Sequence, residues 1–245
     1  MYESPADVVG KDRGEWAWLL LKVGEKQHLE RLADGALRFR RLSYYRKTEN
    51  RGKAMFDAEE GLIAIYQPPL TDLTIGLPEI GARPIRLAGP LTLRSNAPHS
   101  IFCLFTLEPG GWEKRRVTAA ELPDMLADIT IPRAMEKHGD SVWMIHDVEK
   151  FLDRVRMAFR QKGLASCGRK VSYVGLAQIH GRVPEDQVGF VKDVAFRHER
   201  EYRIRIDPLR ALPDPFILRV GSLRDISSIL SLKAFHEGLS VHLPA

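Results

Sequence analysis

The chain contains 245 residues, of which 44% are hydrophobic and 28% charged, and it carries a formal net charge of +5. This balance supports a packed core and excludes a wholly disordered chain. The mild positive charge permits a phosphate-bearing partner without requiring one. Two cysteines without framework spacing favour a reducing compartment, and every apolar run is far shorter than the roughly 20 residues that span a bilayer. We therefore expect a cytoplasmic protein with no membrane partner.

The N-terminal residues 1–14 are polar and lack the apolar stretch of a signal peptide. We expect them to form a flexible tail, followed by a single domain over residues 15–245. An apolar run at 16–23 predicts a buried strand at the start of this domain. A segment with helical spacing follows and ends at Gly35, a residue type that commonly stops helices.

Residues 36–42 have the sequence ALRFRRL, in which Leu37 and Phe39 alternate with Arg38 and Arg40. A period of two predicts a strand whose two faces differ. One face is apolar and packs on the core, whereas the other is basic. Because this basic face lies on a rigid strand, it is a stronger candidate for anion binding than a basic loop.

A long charged segment at 43–61 has no sustained period and predicts a loop. Long loops in compact domains are usually functional or disordered. Tyr44, Tyr45 and Arg51 are suited to stacking on a base and contacting a phosphate. The alternative is a mobile, solvated loop, which the acidic residues at 57–60 favour because they offset the basic ones.

The remaining segments indicate many short strands and few helices. Gly and Pro recur through 68–98, as is typical of short antiparallel strands joined by turns. An apolar run at 99–107 predicts a central strand, and 148–163 predicts a helix with one apolar stripe, capped by Asp147. Together these elements predict an α+β fold in a single domain, with a mostly antiparallel or split β-sheet and about three helices.

The segment at 190–207, FVKDVAFRHEREYRIRID, contains the strongest candidate site. Its second half alternates, so we expect a strand with Tyr202 and the two following isoleucines in the core. The opposite face then carries Glu199 and Glu201, followed by two arginines. Like charges two residues apart on one face repel, so something must neutralise them.

Three interpretations of this charged row are open. In the first, Arg203 and Arg205 pair with the glutamates as surface ion pairs and contribute little. In the second, the two carboxylates stabilise an oxocarbenium-like sugar centre or orient a ribose hydroxyl. In the third, the arginines bind a phosphate and the glutamates only hold them in place.

Several well-known site motifs are missing from the sequence. There is no G-x-G-x-x-G after a predicted strand, no P-loop, no H-E-x-x-H and no G-x-S-x-G. Rossmann dinucleotide-binding proteins, nucleoside triphosphatases, zinc proteases and serine hydrolases are therefore unsupported. The eight histidines are scattered, so we expect no metal site.

Four motifs occur in an order that resembles a large group of uncharacterised bacterial proteins, often phage- or defence-associated, with a terminal E-x-E-Y-R strand. Leu32–Phe39 fits L-x-x-G-x-L-x-F, and a tyrosine-rich segment then closes on D-A-E-E-G. The third motif is VWMIHDVEKFL at Val142–Leu152, and the fourth combines V-S-Y-V with the strand F-R-H-E-R-E-Y-R-I. The order of the four motifs carries the resemblance, which covers most of the chain.

This group is itself similar to the ADP-ribosyltransferase toxins, which have a split β-sheet and a late strand with Glu-x-Glu. The resemblance implies an ADP-ribosyltransferase-like fold and NAD as a substrate. It gives Glu201 the role of orienting the nicotinamide ribose and assisting transfer, and Glu199 the role of acceptor-side carboxylate. Arg38 or Arg40 is then the basic residue of the first strand.

Two functions follow from these observations. The first is an NAD-using, ADP-ribosyltransferase-like bacterial toxin or anti-phage defence effector. The second is a non-catalytic binding module of a phage or defence system, whose basic strand face contacts nucleic acid or a protein partner. The second stays open because the Ser-Thr-Ser element of the transferase toxins is missing from this chain.

Overall fold

The computed structural model describes most of the chain, in two compact units. The described residues are 3–4, 19–47, 56–68, 73–77, 81–108, 112, 116–207 and 212–238. The large-sheet unit comprises residues 14–41, 98–170 and 198–245, and the small-sheet unit comprises residues 1–13, 42–97 and 171–197. The expected single domain over 15–245 thus contains two compact units, each with its own β structure and buried core.

Strands are the commonest element in the described residues. The strands are β1 (Leu19–Gly24), β2 (Ala36–Arg41), β3 (Leu62–Tyr66), β4 (Leu73–Leu77), β5 (Gly81–Ile85), β6 (Leu91–Arg94), β7 (Ser100–Leu107), β8 (Ser141–Ile145), β9 (Ser166–Lys170), β10 (Ser172–Val174), β11 (Gly181–Arg182), β12 (Val191–Asp193), β13 (Glu201–Ile206), β14 (Phe216–Arg219) and β15 (Ser227–Ser231). The α-helices are α1 (Lys26–Ala33), α2 (Leu42–Tyr45), α3 (Leu122–Asp128), α4 (Val148–Gln161) and α5 (Leu232–Gly238). Short 3-10 helices cover Arg133–His138, Glu185–Gln187 and Val194–Glu199.

The large-sheet unit is built on one antiparallel sheet. Its strand order is β14-β2-β7-β1-β8-β15, with β13 on the other edge of β7 and β9 beyond β13. One edge of β7 is divided between two partners, because its first residues pair with β2 and its last residues pair with β1. The expected α+β class and mostly antiparallel sheet are confirmed.

The two faces of this sheet bury separate cores, because consecutive residues of a strand point to opposite faces. Leu20 of β1 packs in one core with residues of α1 and α4. Leu21 packs in the other core with residues of α3 and α5. We call these two sides of the sheet the α4 face and the α5 face.

Helix α4 forms as its sequence predicts. The Asp147 carboxylate accepts a hydrogen bond of 3.0 Å from the backbone N–H of Lys150, which caps the first turn. The apolar stripe is buried through Phe151, Val155 and Phe159, each at most 2% exposed. The helix is therefore held on the sheet by one face of large side chains, as its periodicity indicates.

The small-sheet unit contains shorter sheets. Strands β11, β3 and β6 form an antiparallel sheet, β4 pairs with β5 in antiparallel orientation, and β10 pairs with β12 in parallel. Its acidic segment is tied to basic side chains, since Arg46 donates to the Glu60 carbonyl at 2.8 Å and Arg94 contacts Glu59 at 2.5 Å. Burial lowers the pKa of the Arg46 guanidinium, and Arg94 lowers it further.

Short helices are the main departure from the expected fold. About three helices were expected from the sequence, whereas the described residues contain five α-helices and three 3-10 helices. Helices α2 and α5 have four and seven residues. A helix of this length does not repeat an apolar stripe over several turns, so periodicity does not reveal it.

Candidate functional site

The charged segment at 190–207 does not form one continuous strand. The 3-10 helix Val194–Glu199 precedes β13, which begins at Glu201. Between them Arg200 has a φ of 38°, in the left-handed region that a residue with a side chain rarely adopts. Glu199 therefore ends the 3-10 helix, and the expectation that it shares a strand face with Glu201 is wrong.

Strand β13 is an interior strand, hydrogen-bonded to β7 on one edge and to β9 on the other. Ile204 and Ile206 lie in the core of the α4 face, as expected. The charged face is buried as well, with Glu201 9%, Arg203 1% and Arg205 5% exposed. The interpretation as surface ion pairs is therefore wrong, because these charges are removed from water.

Glu201 and Arg203 contact each other directly on the α5 face. The Arg203 Nε donates to Glu201 Oε2 at 2.7 Å, and the Arg203 Nη2 lies 3.3 Å from Oε1. Side chains two residues apart on a strand point the same way, so the geometry follows from the alternation. The two contacts with the guanidinium fix the orientation of this carboxylate.

A second charged contact lies at the end of β13. The Arg205 Nη2 donates to Asp207 Oδ2 at 3.0 Å. Asp207 Oδ1 lies 2.7 Å from Arg205 Nε and 2.9 Å from His99 Nδ1, at ion-pair distance without hydrogen-bond alignment. Burial alone raises the pKa of Asp207, but the contacts with His99 and Arg205 outweigh burial and hold that pKa below its ordinary value.

Asp207→Asn should therefore lower the free energy of unfolding at pH 6 by more than it does at pH 3. A carboxyl whose folded pKa is depressed stabilises the protein above its unfolded pKa, about 3.9. That contribution is lost as the pH falls through the lower folded pKa. Urea unfolding of the wild type and the variant at both pH values measures the difference. If the wild type and the variant differed more in unfolding free energy at pH 3 than at pH 6, the charged Asp207 contact would not be stabilising.

The register of three strands places the basic strand and Glu201 on one face. Arg40 is directly opposite Ile101 of β7, which is directly opposite Arg205 of β13. Directly opposite residues share a face, and so do residues two or four apart on one strand. The charged residues that this register places on the α5 face include Arg38, Arg40, Glu201, Arg203 and Arg205.

Exposure falls along this face. Arg38 is exposed, Arg40 is partly buried with its Nη1 3.7 Å from Asp214 Oδ1, and Glu201 is buried. Strand spacing and rise put the Cα atoms of Arg40 and Glu201 about 16 Å apart. The face therefore joins an accessible basic region to a buried carboxylate.

The predicted aromatic residues lie in the other unit. Tyr44 and Tyr45 belong to α2 of the small-sheet unit, so the expectation of a loop is wrong at these residues. Their rings are edge-on, with centroids 5.5 Å apart, and both side chains are half-buried. Arg51 lies outside the described residues. The roles of these three residues toward a base or a phosphate stay predictions.

Two further features of the α5 face were not found from the sequence. Arg219 of β14 lies on this face beside Arg38, since Arg38 is directly opposite Ile217. The strand FILR has only four residues, which is too short for a convincing alternation. His99 and Asp207 are brought together only by the pairing of β7 with β13, which no local pattern shows.

The described residues suggest neither a metal centre nor a membrane helix. Within these ranges, no group of three or more His, Cys, Asp and Glu side chains is arranged to hold a metal ion. No helix in the described part of the chain is long and apolar enough to cross a bilayer.

Comparison with known proteins gives no match to this chain. No protein-family model, no curated protein and no solved structure matches it. The geometry of the α5 face is therefore the basis for a functional assignment.

Proposed function

We propose that the chain is an NAD-using, ADP-ribosyltransferase-like protein that acts as a bacterial toxin or anti-phage defence effector. The observation that carries the proposal is the common face of Glu201 and the basic strand residues Arg38 and Arg40. NAD has a negatively charged pyrophosphate and, further along the molecule, a ribose whose C1′ is the reacting atom. The α5 face presents guanidiniums and a buried carboxylate in the same order.

The reaction assigned to this face is the transfer of ADP-ribose from NAD. The bond between the ribose C1′ and the nicotinamide nitrogen breaks, and its electron pair leaves with nicotinamide, which becomes neutral. The ribose becomes an oxocarbenium ion. An acceptor nucleophile on the target, or water, donates an electron pair to C1′ and releases its proton to solvent.

Glu201 would stabilise the oxocarbenium ion and accept a hydrogen bond from a ribose hydroxyl. A fixed charge placed where opposite charge develops lowers the barrier without reorganisation. Arg203 is a positioning residue in this scheme, because its contact fixes the orientation of the Glu201 carboxylate. The motif resemblance assigns Glu199 to the acceptor side of the reaction. The role of the protein as a toxin or defence effector rests on the same resemblance.

Glu201→Gln should reduce nicotinamide release from NAD at least a hundredfold, about 2.7 kcal/mol of transition-state stabilisation. The substitution keeps the size of the side chain and removes its charge. Release per folded molecule is measured together with the melting temperature, so that lost activity is separated from lost stability.

The matched control is Asp225→Asn, which removes a carboxylate from another arginine pair. Arg154 donates to Asp225 at 2.7 and 2.6 Å, and neither residue has a role in the proposed reaction. This variant should release nicotinamide at the wild-type rate. Unchanged release by Glu201→Gln would end the catalytic assignment.

One observation favours the second function, a non-catalytic binding module. Glu201 is 9% exposed and already bound to Arg203, which suits a structural pair. The exposed basic strand would then contact nucleic acid or a protein partner. Absence of nicotinamide release from the wild-type protein under all conditions would favour this function.

A further inference from the structure

Arg38 and Arg219 form a guanidinium pair at the rim of the large sheet. Arg38 of β2 is directly opposite Ile217 of β14, and Arg219 is directly opposite Ala36. The two arginines are therefore diagonal neighbours on the α5 face, with their Cα atoms about 8 Å apart. Both are exposed, and β14 ends the strand order of the described sheet.

Neither arginine of this pair has an acidic partner among the described residues of the sheet. In the described part of the chain, no carboxylate lies within ion-pair distance of Arg38 or Arg219. By contrast, Arg40 lies 3.7 Å from Asp214, and Arg224 contacts two acidic residues of the α1 region. Like charges on neighbouring strands repel, so an anion bound between Arg38 and Arg219 would remove an unfavourable interaction.

The surface between these two guanidiniums is apolar. Ile217 is 40% exposed, and the small side chain of Ala36 lies beside Arg38 on the same face. An exposed isoleucine side chain can pack against the apolar surface of a base or a sugar. The edge of the sheet therefore combines two guanidiniums, which can bind phosphate, with an apolar side chain, which can contact a base or a sugar. A nucleotide-binding site needs both kinds of group.

We propose that Arg38 and Arg219 bind the diphosphate of NAD and that the adenosine lies over Ile217. This inference rests on the proposed function and extends it. It adds Arg219 to the site and sets the direction of the ligand across the α5 face. The adenosine end lies at β14, and the nicotinamide ribose lies toward Glu201 on β13.

The test uses ADP-ribose as the probe, with binding measured by calorimetry at low salt. Arg38→Ala and Arg219→Ala should each weaken its Kd about tenfold, because each removes a charge-assisted hydrogen bond. Arg160→Ala is the matched control, since it removes one exposed arginine from α4 and should leave the Kd unchanged. Arg219→Ala should also raise the KM for NAD with little change in kcat.

The possible failures of the two proposals are distinguishable. Unchanged ADP-ribose binding in both variants overturns the subsite, even where the wild type releases nicotinamide. If the wild type neither binds ADP-ribose nor releases nicotinamide, the proposed function fails, and inorganic pyrophosphate then tests the arginine pair alone. Pyrophosphate binding that either substitution weakens supports an anion site. Absence of pyrophosphate binding overturns the anion site at Arg38 and Arg219. Binding of a single-stranded oligonucleotide instead would assign this face to nucleic acid.

Discussion

Arg203→Met should lower the free energy of unfolding by about 3–5 kcal/mol. Arg203 is 1% exposed, and its Nε lies 2.7 Å from the Glu201 carboxylate. Methionine keeps an unbranched side chain but removes the guanidinium, so the buried Glu201 carboxyl loses this cation. The cost of a buried charge after loss of its cation is larger than the net value of the pair itself. Equilibrium denaturation by urea measures the change.

A double-mutant cycle identifies the origin of this loss. Adding Glu201→Gln to Arg203→Met removes the charge left behind, so part of the lost stability should return. The matched control is Arg154→Met, which breaks the exposed pair with Asp225 and should cost less than about 1 kcal/mol. Equal losses for Arg203→Met and Arg154→Met would show that burial of the Glu201 pair has no energetic consequence.

Gly35→Ala should destabilise the large-sheet unit by about 3 kcal/mol or more. Gly35 follows α1 with a φ of 83°, and its carbonyl accepts a 3.0 Å hydrogen bond from the Val220 N–H. The left-handed conformation alone costs alanine about 1–2 kcal/mol. A Cβ at this position would also overlap the carbonyl oxygen of Gly221, so the backbone has to shift. The melting temperature and urea midpoint report the effect.

Gly163→Ala separates the two causes. Gly163 follows α4 with a φ of 63°, and no described atom lies within 4 Å of the position its Cβ would take. This substitution should therefore cost only the conformational term, about 1–2 kcal/mol. If Gly35→Ala were no worse than Gly163→Ala, close packing against Gly221 would not contribute to stability.

The parts of the fold that the sequence predicts are those with strong local signals. Helix α4 combines an unbroken stripe from Phe151 to Phe159 with the Asp147 cap, and both signals lie within a few residues of each other. Strand β2 alternates Leu37 and Phe39 with arginines, and its apolar side chains are fully buried as expected. Such patterns reflect which face of one element meets a core.

The candidate site was only partly predictable because its members meet through long-range pairing. Glu201 and Arg40 were both identified as candidates, yet their common face depends on β7 lying between their strands. Alternation alone placed Glu199 beside Glu201, since it does not register the left-handed backbone of Arg200. The four-residue strand β14 shows no alternation that would mark Arg219, and burial of Arg203 contradicts the usual exposure of arginine.

Each of the two units is assembled from separate segments of the chain, and this affects how the protein folds during synthesis. Strand β13 lies between β7 and β9 in the sheet, but the ribosome produces it about a hundred residues after β7. Until then one edge of β7 exposes unpaired backbone groups, which favour pairing with other chains. The large-sheet unit includes residues 198–245, so it is completed only after those residues have been translated. High contact order of this kind slows folding, and the unpaired edge of β7 favours aggregation during that interval.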